Sequence, residues 1–190
     1  MLHVVYELDY HNYDRYRTHL LSLDPDSRYL RFGHKISDDA INELCERFKD
    51  NFQRHRVFVI ENNDLEVLGV GHISLEGRSV ELAFSVLKQY QGQGMGSSLM
   101  ARVVEWCQNR GIKTGCMVCL KRNAAVKRLA GKHGILITEG GEVMADVDIP
   151  ELTAISLIHE AAVDGIAKID HLGKLQRKFA QMFTLPLRFK

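Results

Sequence analysis

The stretch that most constrains this chain is Val80-Glu-Leu-Ala-Phe-Ser-Val-Leu-Lys-Gln-Tyr-Gln-Gly-Gln-Gly-Met-Gly-Ser-Ser-Leu-Met100. Val80, Leu82, Phe84 and Val86 alternate with Glu81, Ala83 and Ser85, the period of a half-buried strand. Leu99, Met100, Val103, Val104 and Cys107 then recur at the spacing of an amphipathic helix. Between the two lies Gln91-Gly-Gln-Gly-Met-Gly96. A glycine-rich turn that opens a helix leaves backbone N–H groups free, and the helix dipole favours negative charge there. Two common anion loops do not fit. The dinucleotide fingerprint needs a third glycine where Ser97 stands, and the phosphate loop needs a lysine after its glycines.

What fits is Gln-x-x-Gly-x-Gly, at Gln91, Gly94 and Gly96, following a Glu-Leu-Ala-Phe strand. On these residues the chain resembles the GNAT superfamily of acetyl-CoA-dependent N-acetyltransferases. It is similar in particular to the acetyltransferase domain of bacterial protein-lysine acetyltransferases. The Ser-Arg-Tyr-Leu-Arg-Phe segment ending at Phe32 is similar to one joining the first two helices of many members. A second segment, Asn123 to Gly134, resembles the family's other cofactor segment, with Asn123, Leu129 and Gly134 matching.

The resemblance implies acetyl-CoA as cofactor. Main-chain groups near Val86, Leu87 and Lys88 would meet the pantetheine arm and the thioester carbonyl. The amides of Gln91, Gly92, Gln93, Gly94, Met95, Gly96 and Ser97 would take the pyrophosphate. Asn123 would contact the cofactor or cap its helix, and Arg128, with Lys127 and Lys132 near it, could meet the 3′-phosphate. Attack by an amine needs a base, because the amine is mostly ammonium at neutral pH. Glu81 matches the glutamate that serves as general base in the family's lysine acetyltransferases, and a buried position would suit it to that task. Ala130 stands where many members carry a tyrosine that protonates the leaving thiolate. A tyrosine general acid is therefore not expected, and the thiol can leave as thiolate with water nearby.

Composition narrows the alternatives. The 190 residues suit one domain with an appendage, 45% apolar and 26% charged, with a net charge of +1. That balance gives no global reason for a nucleic-acid or membrane partner. No apolar run has the length of a membrane span and no signal-peptide pattern opens the chain, so the expected compartment is the cytoplasm. Cys45 and Cys107 fall on apolar helix faces. Cys116 and Cys119 have zinc-like spacing but lie in a strand, where residues three apart point to opposite faces. No metal site is expected.

Read in order, Leu2–Glu7 is a strand, Tyr10–Ser22 a helix, Asp24–Arg28 a turn, and Asp38–Phe52 a helix capped by Ser37. Strands at Arg56–Ile60 and Val67–Leu75 join the central strand through turns at Glu61–Asp64 and Glu76–Arg78, an antiparallel meander. After the central helix come a strand at Ile112–Leu120, a short helix at Asn123–Lys132 closed by His133 and Gly134, and strands at Ile135–Thr138 and Val143–Ile149 around a Glu-Gly-Gly-Glu turn. The order matches the GNAT pattern over residues 1–149: an α/β protein, layered α+β, with a mixed twisted sheet flanked by helices. Residues 150–190 form a C-terminal helical extension. Ile155, Ile158, Ala162, Ile166 and Ile169 share one face there, Leu172, Leu175, Phe179 and Met182 another, and Gly165 and Gly173 are places for a kink. An apolar stripe needs burial, on the sheet or on a second subunit, so a homodimer through these helices is one expectation. The basic residues Lys168, Lys174, Arg177 and Lys178 offer a membrane surface instead, offset by Asp164 and Asp170.

The function expected is acetyl transfer to a primary amine, a protein lysine first and a small-molecule amine next. The alternatives are a non-catalytic acyl-CoA-binding module and a structural protein that reuses the fold. His72, Ser74 and Cys119 are further polar residues near an acceptor cleft.

Overall fold

The computed structural model describes residues 3–77, 79–131, 134–139 and 142–184. Seven strands form one sheet: β1 (Tyr6–Glu7), β2 (His55–Glu61), β3 (Val67–Glu76), β4 (Ser79–Val86), β5 (Thr114–Leu120), β6 (Gly134–Glu139) and β7 (Glu142–Asp148). Their spatial order is β1-β2-β3-β4-β5-β7-β6. Every neighbouring pair is antiparallel except β4 and β5, which run parallel. The helices are α1 (Tyr13–Leu21), α2 (Pro25–Phe32), α3 (Asp38–Asp50), α4 (Met95–Gln108), α5 (Ala124–Ala130) and α6 (Ala154–Thr184).

The alternation along β4 sorts its two faces. Val80, Leu82 and Phe84 are buried on the side of α4, in a core with Phe58, Ile73, Leu99, Val103 and Met117. The opposite side of β2 and β3 packs a second core around Tyr16, Leu20, Ile41, Val57, Val59 and Val70, under α1 and α3. α1 and α3 stop short of β5 and β7, and α2 reaches β5 only near Leu120 and Arg122. Among the described residues nothing covers the second face around Val118 and Met144, which are exposed at 47% and 45%.

One feature of the sheet prepares the site. β4 and β5 are paired over three rungs, from Ser79 opposite Thr114 to Glu81 opposite Cys116, and then separate. Gly115 brings the two backbones together at the closed end. A Cβ there would lie 3.2 Å from Val80 Cγ2 and 3.3 Å from Leu82 Cδ1. Beyond Cys116 the two parallel strands leave a fork that opens toward Val86 and Leu120.

The local chemistry changes three of the sequence expectations. The strand expected at Leu2–Glu7 pairs only at Tyr6 and Glu7. His3 reaches instead to the glycine loop, its Nε2 to the Gln93 carbonyl at 2.9 Å and its N–H to Ser98 Oγ at 3.3 Å. The turn expected at Asp24–Arg28 is the first turn of α2. Pro25 lacks an N–H that would be orphaned there, and Asp24 accepts from the Asp26 and Ser27 N–H groups at 3.2 and 3.3 Å. The C-terminal region is one 31-residue helix, which Gly165 and Gly173 do not interrupt. Thr153 and Ser156 cap it reciprocally. Leu2, Arg78, Lys132 and His133, the two glycines of the Glu-Gly-Gly-Glu turn and residues 185–190 lie outside the described residues.

Helix α6 does pack back on the domain, by its charged side. Arg102 on α4, buried, reaches Glu160 Oε1 at 3.1 Å and Asp164 Oδ1 at 2.6 Å. Glu61 at the end of β2 takes Arg15 at 2.6 Å, the Tyr6 hydroxyl at 2.8 Å and His171 at 2.9 Å, with Lys174 Nζ at 3.6 Å. Burial pushes the Glu61 carboxyl up, but these donors outweigh it and hold it below the usual carboxylate value. The apolar stripe faces the other way: Ile155, Ile158, Ile166 and Ile169 are exposed.

Candidate functional site

The site is built where the fork meets the start of α4. Gly92 and Gly94 take positive φ, +78° and +86°, which only glycine adopts freely. That folds the chain back so that α4 starts at Met95. The first bond of the helix runs from the Ser98 N–H to the Gly94 carbonyl at 3.1 Å. Among the described residues, no acceptor is found for the N–H groups of Gly92, Gln93, Gly94, Met95, Gly96 and Ser97. Six donors at a helix N-terminus, on an exposed loop, are a ready receptor for a phosphate group.

All of these residues but Gln93 border a cavity of about 340 Å³ at the fork. Gln91, Gly92, Gly94, Met95, Gly96 and Ser97 line it from the loop, and Phe84, Ser85 and Val86 from β4. Asn123, Val126, Arg128 and Leu129 line it from α5, and Ser27, Leu30 and Arg31 from α2 on the other face of the sheet. Gln91 ties the parts together, its Nε2 donating to the Val86 carbonyl at 3.0 Å and to Ser27 Oγ at 3.3 Å.

Register decides which strand groups face the opening. The Leu87 N–H donates to the Leu68 carbonyl at 2.9 Å, next to the Gly69–Val86 rung. That rung is therefore a non-hydrogen-bonded pair, and Val86 directs its own N–H and C=O away from β3, to the side that β5 has left. Of the three strand-end residues expected to meet a cofactor arm, Val86 lines the cavity. The Leu87 amide is engaged with β3, and Lys88 is exposed beside Asp24, with 3.9 Å between Nζ and Oδ1. Gln93 lies outside the lining as well. Its carbonyl takes His3, and its side-chain amide donates to the Gln89 carbonyl.

Asn123 is buried and caps α5, accepting from the Val126 N–H at 3.1 Å. Arg128 is exposed at the cavity rim. Close by, Arg122 lies 4.7 Å over the Tyr29 ring and 3.3 Å from Asp26.

Glu81 sits on the last paired rung, at the closed end of the fork, and outside the cavity lining. It is exposed rather than buried. Ser74 is opposite it on β3 and Cys116 on β5, with Asp146 next on β7. The neighbouring rungs put Glu76 and Asp148 on the same open face. Burial, and then the charges of Glu81, Glu76 and Asp146, push the Cys116 thiol up. Cys119 is buried. His72 belongs to the core: its ring stacks on His55 and packs on Tyr16 and Phe48, and burial lowers it well below the ordinary histidine value.

Two parts of the site carry no local signal. The wall contributed by α2 depends on where a helix crosses the fork. The buried pair of His19 and Ser85, bonded at 2.9 Å, joins residues 66 positions apart. Its one trace is a serine near the end of the strand.

Comparison with known proteins bears on the whole arrangement. The family model described as Acetyltransferase (GNAT) domain matches residues 8–135. The GNAT domain of S. lividans PAT superposes with a TM-score of 0.64 at 18% identity, covering 76% of this chain and 89% of that one. The PaiA N-acetyltransferase of Thermoplasma acidophilum, in complex with coenzyme A, gives 0.57 at 11% identity over 78% and 99%. A cAMP-binding acyltransferase of Mycobacterium smegmatis gives 0.56 at 21% identity, covering 92% of this chain and 51% of that one.

Proposed function

Because the chain belongs to the GNAT acetyltransferase family, we propose that it transfers an acetyl group from acetyl-CoA to a primary amine, with a protein lysine as first acceptor. The observation that carries the proposal is the row of N–H groups from Gly92 to Ser97, without acceptors among the described residues, at the mouth of a split between β4 and β5. That row fits a pyrophosphate, the fork fits an extended arm, and Arg128 at the rim adds positive charge. Acetyl-CoA brings an activated thioester. The Val86 N–H, aimed into the fork, is the donor offered to its carbonyl oxygen. One such donor typically contributes a factor of about a hundred to a thousand in rate.

The acceptor enters from the bare face of β4, β5 and β7. Glu76, Glu81, Asp146 and Asp148 give that face a negative field, and Val118 and Met144 add exposed apolar surface. A cationic amine on an aliphatic stem, lysine above all, complements both features. Small polyamines are the next acceptor class. Glu81, the carboxylate nearest the fork, takes the proton that the amine loses, through water because it is exposed. The thiolate leaves into a wet cleft and takes its proton there. No helix among the described residues is long and apolar enough to cross a membrane. The proposal also gives the outer face of α6 to a second copy of the chain.

Thiol release from acetyl-CoA in the presence of lysine peptides and polyamines tests the function directly. Glu81→Gln should bind CoA with near wild-type affinity and turn over about a hundredfold more slowly at neutral pH, the usual lower bound for losing a general base. An unchanged rate removes Glu81 from the mechanism. A wild-type protein that binds no CoA thioester removes the whole proposal.

A further inference from the structure

Ser85 and His19 form a hydroxyl–imidazole pair at the wall of the fork cavity, and the pair has a definite polarity. His19 is 2% exposed. Its Nδ1 lies 3.0 Å from the Val67 carbonyl, which can only accept, so Nδ1 carries the proton. A neutral ring has one N–H, and that leaves Nε2 bare. Nε2 lies 2.9 Å from Ser85 Oγ. The serine must therefore be the donor in that bond. Its proton points into the core, and only its lone pairs are free to face the cavity that Ser85 lines. Burial, the main cause, lowers the imidazole to about 4, so the ring is neutral at physiological pH.

We propose that Ser85 accepts a hydrogen bond from an N–H donor of the bound reactants, with His19 as the positioning residue that fixes the hydroxyl's direction. The donor is an amide of the acyl-CoA arm or the attacking amine. The loop N–H groups, the Val86 N–H and Arg31 offer donors to the reactants, and the Ser85 hydroxyl offers an acceptor on the other face of β4. The Val86 carbonyl already takes Gln91. The main chain of Ser85 is held as well, paired with Val70 on β3, so the side chain projects from a fixed rung.

The same geometry separates this pair from a nucleophile and its base. Such a base is usually oriented by a carboxylate that stabilises the imidazolium. Here the orienting group is a neutral carbonyl, and the ring lies in the core. Ser85 then forms no acyl ester, and transfer is direct.

The inference rests on the acyl-CoA reading, and its test separates the two. Ser85→Ala is compared with wild type by calorimetric titration of CoA, by the KM of the amine and by thermal melting. Loss of one neutral hydrogen bond is worth roughly three- to tenfold. If the donor is on the cofactor arm, the CoA Kd weakens by that factor while the amine KM stays. An arm analogue with ester oxygens in place of its amide N–H groups then binds both proteins alike. If the donor is the amine, its KM rises by that factor and the CoA Kd stays. Neither value moving, or both moving together with a lower melting temperature, overturns the inference. A covalent acyl adduct on the wild-type protein that Ser85→Ala abolishes overturns it too. A wild-type protein that fails to bind CoA removes the functional reading itself.

Discussion

Folding takes His19 out of water, and burial lowers its ring from 6.5 to about 4. The folded state therefore holds fewer protons than the unfolded chain between those values, and stability falls as the pH drops below 6.5 until the folded value is reached. By this linkage His19 alone removes about 2 kcal/mol between neutral pH and pH 5. His72 and His55, also lowered by burial, act in the same direction. Chemical denaturation at pH 7 and pH 5 should show the loss, and His19→Phe should reduce the difference. An equal or greater stability at pH 5 would mean that the ring is charged in the fold. The serine would then no longer be held as a donor, so this titration bears on the cavity's polarity as well. Neither residue stood out in the sequence, because a histidine on an apolar helix face and a serine in a strand acquire meaning only when α1 crosses β4.

Period decides how far each element can be read from local sequence. Along Val80 to Met100 it changes from two to 3.6 across a glycine run, and the strand, turn and α4 are found where that change places them. The split between β4 and β5 is different. It depends on where two strands stop pairing, and nothing near Cys116 announces that event. Asp-Pro-Asp-Ser opens a turn and a helix equally well, and in the structure α2 follows it, with Leu30 and its neighbours closing over the fork. The sequence leaves Asn123 open between a cofactor contact and a helix cap; its bond to the Val126 N–H is a cap, and the residue also lines the cavity. Asn123→Ala should cost about 1 kcal/mol. For a chain of this size that is roughly 2–4 °C in melting temperature. Asp is an equally good N-cap, so Asn123→Asp should restore most of the loss. If both variants melt equally early, the capping bond is not what holds α5.

On the scale of the whole molecule, α6 is a strut whose two sides have exchanged the usual roles. Every seventh residue, Glu160, Ala167 and Lys174, is buried against the domain, and the charged ones are paired there with Arg102, Arg110 and Glu61. Diametrically opposite, Ile155, Ile158, Ala162, Gly165, Ile169, Leu172, Gln176 and Phe179 alternate three and four apart, the spacing of a helix seam. Ile155 is 80% exposed and Ile169 73%. The large apolar side chains of the seam are 57% to 80% exposed along most of the helix. Ala162 and Gly165 permit close approach of a second helix, and His159, Lys168 and Arg177 flank the seam. Basic residues are too few on the outward face to favour a lipid surface. The chain should therefore sediment at about twice its 21.6 kDa mass. Ile158→Asp with Ile169→Asp should yield a monomer that keeps its CoA affinity, because both side chains point away from the fork. A wild-type chain that stays monomeric at micromolar concentration would leave the seam to another partner, and the domain would then work as a single copy.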